Sequence, residues 1–130
     1  MLTATIVPMI QELEEISKKL SPSFGKKISH PLYKTQNMRK LINFSITNHI
    51  RKAYNCWELS IEENARPRTI FRNKALFRST IVYTNDLITE CLKGTHNTKK
   101  DIRVALELKK HLDKLIEIVD TSSLEKGETK

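Results

Sequence analysis

Five cations crowd one short stretch of this chain: Arg66, Arg68, Arg72, Lys74 and Arg78, within RPRTIFRNKALFR. Four of the five are Arg, whose planar fork of donors matches phosphate or carboxylate better than the point charge of Lys. The chemistry they offer is anion recognition. Arg68 and Arg72 are four residues apart, as are Lys74 and Arg78, so on a helix like charges sit side by side. Cations in the first turns of a helix also oppose its dipole, each costing about 0.3–1 kcal/mol at low salt. Something anionic has to offset that cost. Glu58, Glu62 and Glu63 lie just upstream and could do so across a turn. Three acids cannot balance these five cations together with Arg51 and Lys52, so an external polyanion is the favoured answer.

The charge distribution points the same way. The chain of 130 residues carries a net charge of +8, and the excess is local. Residues 23–79 hold twelve Lys and Arg against three Glu, whereas residues 80–130 hold nine charges of each sign. Such a segment is the electrostatic footprint of a surface for nucleic acid or for an acidic protein. It adds Lys26, Lys27, Arg39, Lys40, Arg51 and Lys52 to the candidate binding residues. The plainer alternative is a charged surface that serves solubility alone.

No catalytic signature emerges. Di-iron bundles need Glu-x-x-His at core positions, and that spacing is absent. Helical ribonuclease modules of the HEPN type place a His after an Arg and four to six residues, whereas Arg103 and His111 have seven between them. His49, Cys56, Cys91 and His96 could supply four zinc ligands, but their spacings match no zinc framework. A buried His and two buried thiols are the commoner arrangement. The three glycines stand apart, so no phosphate loop forms. The expectation is a protein that is not an enzyme, with no cofactor and no metal.

Four elements must position the basic stretch. Ile6, Met9, Ile10, Leu13, Ile16 and Leu20 recur at steps of three and four, which predicts an amphipathic helix over 5–20. Pro8 is then expected in its first turn, where a missing N–H costs nothing. The segment 21–31, SPSFGKKISHP, is a break, with Phe24 and Ile28 as anchors. A second helix is predicted over 34–62, its stripe running through Met38, Leu41, Ile42, Ser45, Ile46, His49, Ile50, Ala53, Trp57 and Ile61. Trp57 reads as core or subunit interface rather than as a platform for bases.

Pro67 opens the third helix, 67–93. Two rows face inward on it: Phe77, Ile81, Thr84, Ile88 and Leu92, and beside them Leu76, Thr80, Tyr83, Leu87 and Cys91. Gly94 stops it. Thr98 and Asp101 resemble a capping box and open the fourth helix, 98–119, where Ile102, Ala105, Leu108, Leu112, Leu115 and Val119 form the cleanest stripe. Asp101, Glu107 and Glu117 read as its solvated face. Residues 121–130 form a polar tail. The fold class expected is all-α, a single-domain antiparallel four-helix bundle spanning 1–120.

Thirty-eight per cent hydrophobic and 29% charged residues suit a folded, soluble chain. No apolar run approaches the roughly 18 residues of a membrane span, and the N-terminus lacks the basic start of a signal peptide. Two isolated cysteines suggest reduced thiols. The expected location is cytoplasmic, without membrane partners.

The Leu20–Ser21–Pro22 break, the Arg72–Leu76–Leu87–Leu92 helix and the Ala105–Leu112–Leu115–Val119 helix together carry a resemblance. Over about residues 20–120 the chain resembles the accessory variability determinant of diversity-generating retroelements. It is similar, too, to the bundles encoded within intervening sequences of bacterial 23S ribosomal RNA. Glu117–Ile118 stands where many relatives have glycine and tryptophan. The resemblance implies a ring-forming homo-oligomer, expected as a pentamer, that binds a reverse transcriptase and nucleic acid. It implies no chemistry by the bundle, which would assist mutagenic complementary-DNA synthesis. The alternative expectation is a helical protein–protein adaptor, or a small RNA-binding subunit of a multi-protein ribonucleoprotein.

Overall fold

The computed structural model describes residues 2–25, 37–94 and 96–122, and these form four helical rods with no strand among them. The first is α1, Leu2–Ser17. The second is continuous but changes pitch: α2 (Met38–Phe44) passes through a π-helical segment (Ser45–Ile50) into α3 (Arg51–Glu62). The third is α4, Pro67–Leu92, and the fourth α5, Lys99–Thr121.

Side-chain bonds between rods establish their directions. Asn43 donates to Ser17 Oγ at 2.9 Å and Arg51 bonds Glu14, so the second rod rises as α1 falls. Asn73 reaches the Cys56 carbonyl and Ser45 meets Thr84, which sets α4 antiparallel to the second rod. Lys109 donates to Asn85 and Arg78 to Asp120, and Ser21 bonds Asp101, which sets α5 antiparallel to both α4 and α1. Each rod packs on two neighbours, closing an antiparallel four-helix bundle as the periodicity predicts.

The stripes meet in one core. Ile6, Ile10, Leu13, Ile42, Ile46, Ile50, Ile81, Ile88, Leu108, Leu112 and Leu115 are at most 1% exposed. Tyr54, Trp57 and Phe77 interlock at one end, with ring centroids 5.4–6.2 Å apart. Trp57 is fully buried, and its indole N–H has no hydrogen-bond partner. Of its expected roles, core is the one it fills.

Local chemistry explains the ends. Asn37 caps α2 by accepting from Lys40 N, and Thr98 caps α5 by accepting from Asp101 N. Between α3 and α4, Asn64 takes a left-handed φ of 52°, which Asn tolerates better than most residues. Pro67 sits in the first turn of α4.

Several expectations are corrected. Helix α1 begins at Leu2 rather than near residue 5, so Pro8 lies inside it rather than in its first turn. The hydrogen bond that Pro8 cannot make would have gone to the carbonyl of Ala4, an exposed residue whose oxygen water can reach. Leu76 and Tyr83, expected in the core, are 52% and 42% exposed, and Ile102 and His49 are also exposed. The second inward row of α4 is therefore narrower than its pattern suggests, because only two neighbours flank the helix. Cys56 is exposed as well, and only Cys91 is a buried thiol.

Asp101 is the largest reversal. Expected on the solvated face of α5, it is fully buried and accepts from both the backbone N–H and the hydroxyl of Ser21. The capping box is thus half made: Thr98 takes the Asp101 N–H, while the Asp101 carboxylate turns across to the chain leaving α1. Nearby, Phe24 is buried as expected, whereas Ile28 lies outside the described residues. Gly25 has φ of 78° and donates to Asn97 Oδ1, and Asn97 donates back to the Cys91 carbonyl. A Cβ on Gly25 would come within 2.8 Å of Cys91 Sγ. The long connection is pinned at its start to the α4–α5 turn.

Candidate nucleic-acid interface

The basic cluster opens α4, whose N-cap is Arg66 with no side-chain capping bond. No acidic residue stands in the first turn to complement the dipole. Arg66, Arg68 and Arg72 are exposed, and no ion pair engages them among the described residues. Between them stands Phe71, 62% exposed, with Leu76 one turn further on. The surface is therefore cationic with apolar inserts.

The cluster does not act as a unit of five. Arg78 donates from Nε to Asp120 Oδ1 at 2.6 Å and from its terminal nitrogen to Oδ2 at 3.1 Å. That hydrogen bond, with charge attraction, raises the Arg78 pKa, and it holds the Asp120 carboxyl below its ordinary range. Lys74 Nζ donates to the Ser122 carbonyl at 3.3 Å. Among the described residues, the carboxylate that pairs with this cluster is Asp120 of α5, and neither Glu62 nor Glu63 pairs with any of the five cations.

The other candidates separate into groups. Arg51 is held by Glu14 through three bonds of 2.7–3.0 Å, an internal strut between α3 and α1. Lys52 is exposed. Arg39 and Lys40 lie on α2, far along the second rod from the start of α4, and Arg39 donates to the Lys18 carbonyl at 3.4 Å. Lys26 and Lys27 lie outside the described residues. Among the described residues, Arg66, Arg68 and Arg72 thus form one cluster without an ion pair, and Arg39 and Lys40 form another.

The pitch change in the second rod brings out Phe44, which lies on no apolar stripe, and gives His49 an exposed place instead of one on the inward stripe. In an α-helix, side chains five apart point about 140° away from each other. The i→i+5 geometry of the π segment brings Phe44 and His49 onto one side, with ring centroids 5.2 Å apart and edge to face. Tyr83 of α4 follows at 6.4 Å from His49. Phe44 is 51% exposed. A signal existed: Phe44 falls off the Ile42–Ile46–Ile50 stripe, and a large aromatic on the polar side of a helix asks for a reason.

Among the described residues, no group of three or more His, Cys, Asp or Glu is placed to hold a metal ion. Burial pushes the Cys91 thiol up to about 12, with help from nearby Glu90. It would make a poor thiolate ligand. Among the described residues, no helix is long and apolar enough to cross a membrane.

Fold and charge together define an all-α bundle with separated basic surfaces. Comparison with protein-family models, with curated proteins and with solved structures returns no match.

Proposed function

We propose that this chain is a non-catalytic accessory protein that binds nucleic acid through the N-terminal end of α4. The observation that carries the reading is the trio Arg66, Arg68 and Arg72. They are exposed and unpaired among the described residues, and Arg66 and Arg68 are set where the helix dipole disfavours them. An anionic backbone would relieve both the dipole conflict and the mutual repulsion. Following the family resemblance, the partner enzyme is a reverse transcriptase and the process is mutagenic complementary-DNA synthesis in a retroelement, with the bundle acting as a homo-oligomer.

The test is binding to RNA and DNA across a salt series. With three phosphates neutralised, log K falls with log salt at a slope of roughly −2 to −3. Replacing Arg68 and Arg72 by Glu removes that dependence while the helical circular dichroism persists. A flat salt dependence in the unaltered protein defeats the proposal. Co-purification with an adjacent reverse transcriptase and the mass by light scattering test the retroelement part.

A second reading has its own support. Phe71 and Leu76 are 62% and 52% exposed beside the arginines, and apolar anchors ringed by Arg suit a protein partner. An acidic-protein adaptor would bind naked RNA weakly and recover a single protein on co-purification.

A further inference from the structure

We infer that a second surface, built by the π segment, is a stacking platform for unpaired nucleobases. It rests on the nucleic-acid reading above but uses different residues. Phe44, His49 and Tyr83 form a row on the outside of the bundle, their rings linked at 5.2 and 6.4 Å. The core does not need them, since Tyr54, Trp57 and Phe77 already supply a closed aromatic cluster. Phe44 also forms one wall of a surface pocket of about 340 Å³, whose other walls are Lys18, Arg39, Lys40, Asn43 and Thr47.

This pairing of features selects the ligand. Among the described residues, three cations and no acid line the pocket. Lys18 does pair with Glu15, at 3.3 Å, but both are more than 60% exposed, and such a pair yields readily to a phosphate. Aromatic faces beside a cationic groove bind single strands, because each unpaired base offers a face to stack while its phosphate meets a cation. A duplex hides those faces within its own stack. Asn43, whose side-chain nitrogen is committed to Ser17 Oγ and whose backbone carbonyl accepts from Thr47, has its side-chain Oδ1 to offer a base edge.

The π segment is what makes the row. Residues five apart become neighbours only at that pitch, and irregular turns of this kind recur at functional sites. Ser45 anchors the wide turn to α4 through its hydroxyl contact with Thr84 at 2.5 Å, so the row sits on a braced element.

The experiment is fluorescence anisotropy with labelled oligouridylate RNA, oligothymidylate DNA and a duplex of equal length. The unaltered protein is expected to bind single strands more tightly than duplex, and comparison of the two single strands tells RNA from DNA. Phe44→Leu keeps the apolar bulk but removes the π face. It should weaken single-strand binding by roughly 5- to 150-fold, as the loss of one stacked base does. The salt slope should not change, and Phe44→Tyr should restore affinity. Equal affinity for duplex and single strand, or no effect of Phe44→Leu, overturns the platform while leaving the arginine reading standing. Failure of every nucleic acid to bind overturns both, as does a Phe44-dependent protein partner without nucleic-acid affinity.

Discussion

Arg78 and Asp120 tie the middle of α4 to the end of α5 through two hydrogen bonds, at 2.6 and 3.1 Å. The pair removes one cation from the candidate interface and gives it a structural role. Both side chains are nearly half exposed, so solvent and salt screen the pair and its contribution is small.

The sign of its pH dependence follows from Asp120. The hydrogen bond from Arg78, helped by charge attraction from Arg78 and Lys74, outweighs desolvation and lowers its pKa below the ordinary 3.8. A depressed folded pKa means the stabilisation is present above 3.8 and is lost as pH falls through the folded value. Arg78→Ala should therefore lower Tm slightly at neutral pH and have no effect well below 3.8. An equal loss at both pH values would show that packing rather than charge is responsible.

Arg68→Glu should separate function from stability. It places an acid in the first turn of α4, where it complements the dipole, and should raise stability by roughly 0.3–1 kcal/mol at low salt. Nucleic-acid binding should fall in the same variant. Urea unfolding measured beside a binding titration would reveal both, and a loss of stability would contradict the dipole argument.

Asp101→Ala should be costly. The change abandons the half-buried N–H and hydroxyl of Ser21, whose hydrogen bonds the buried carboxylate now accepts. Loss of hydrogen bonds to a charged group costs on the order of 1.5–3 kcal/mol. Ser21→Ala, which removes only the hydroxyl, should cost less, and thermal denaturation of the two variants ranks them.

Cys56 and Cys91 should differ sharply in reactivity. Only Cys56 is exposed, and burial holds Cys91 near 12, so its thiolate is scarce at neutral pH. Mass spectrometry after alkylation of the native protein should show one adduct, on Cys56. A second adduct should appear only after denaturation.

Trp57→Phe should be better tolerated than Phe77→Ala. The first change discards an indole N–H that is buried without a partner and keeps most of the ring volume. The second empties a fully buried site, for which about 3–5 kcal/mol is usual. Chemical denaturation midpoints would settle the order.

The sequence by itself determined that this chain is a helical bundle and nearly where each helix lies. Leu108, Leu112 and Leu115 are buried because a helical period puts them on one face, and periodicity is local information. Thr98 as a cap and Pro67 in the first turn of α4 were equally legible, since each answers to its immediate neighbours. The basic start of α4 was legible as charge.

Tertiary structure alone decided which charges are free. Asp120 is 42 residues from Arg78, and Glu14 is 37 from Arg51, so neither pairing follows from local spacing. Asp101 looked solvated because its helix position is polar by pattern, yet the chain leaving α1 covers it. The row of Phe44, His49 and Tyr83 needed both the π pitch and the packing of α4 on the second rod. Helical period reports which face is apolar. It cannot report how far a turn widens, nor which neighbour arrives to meet a charge.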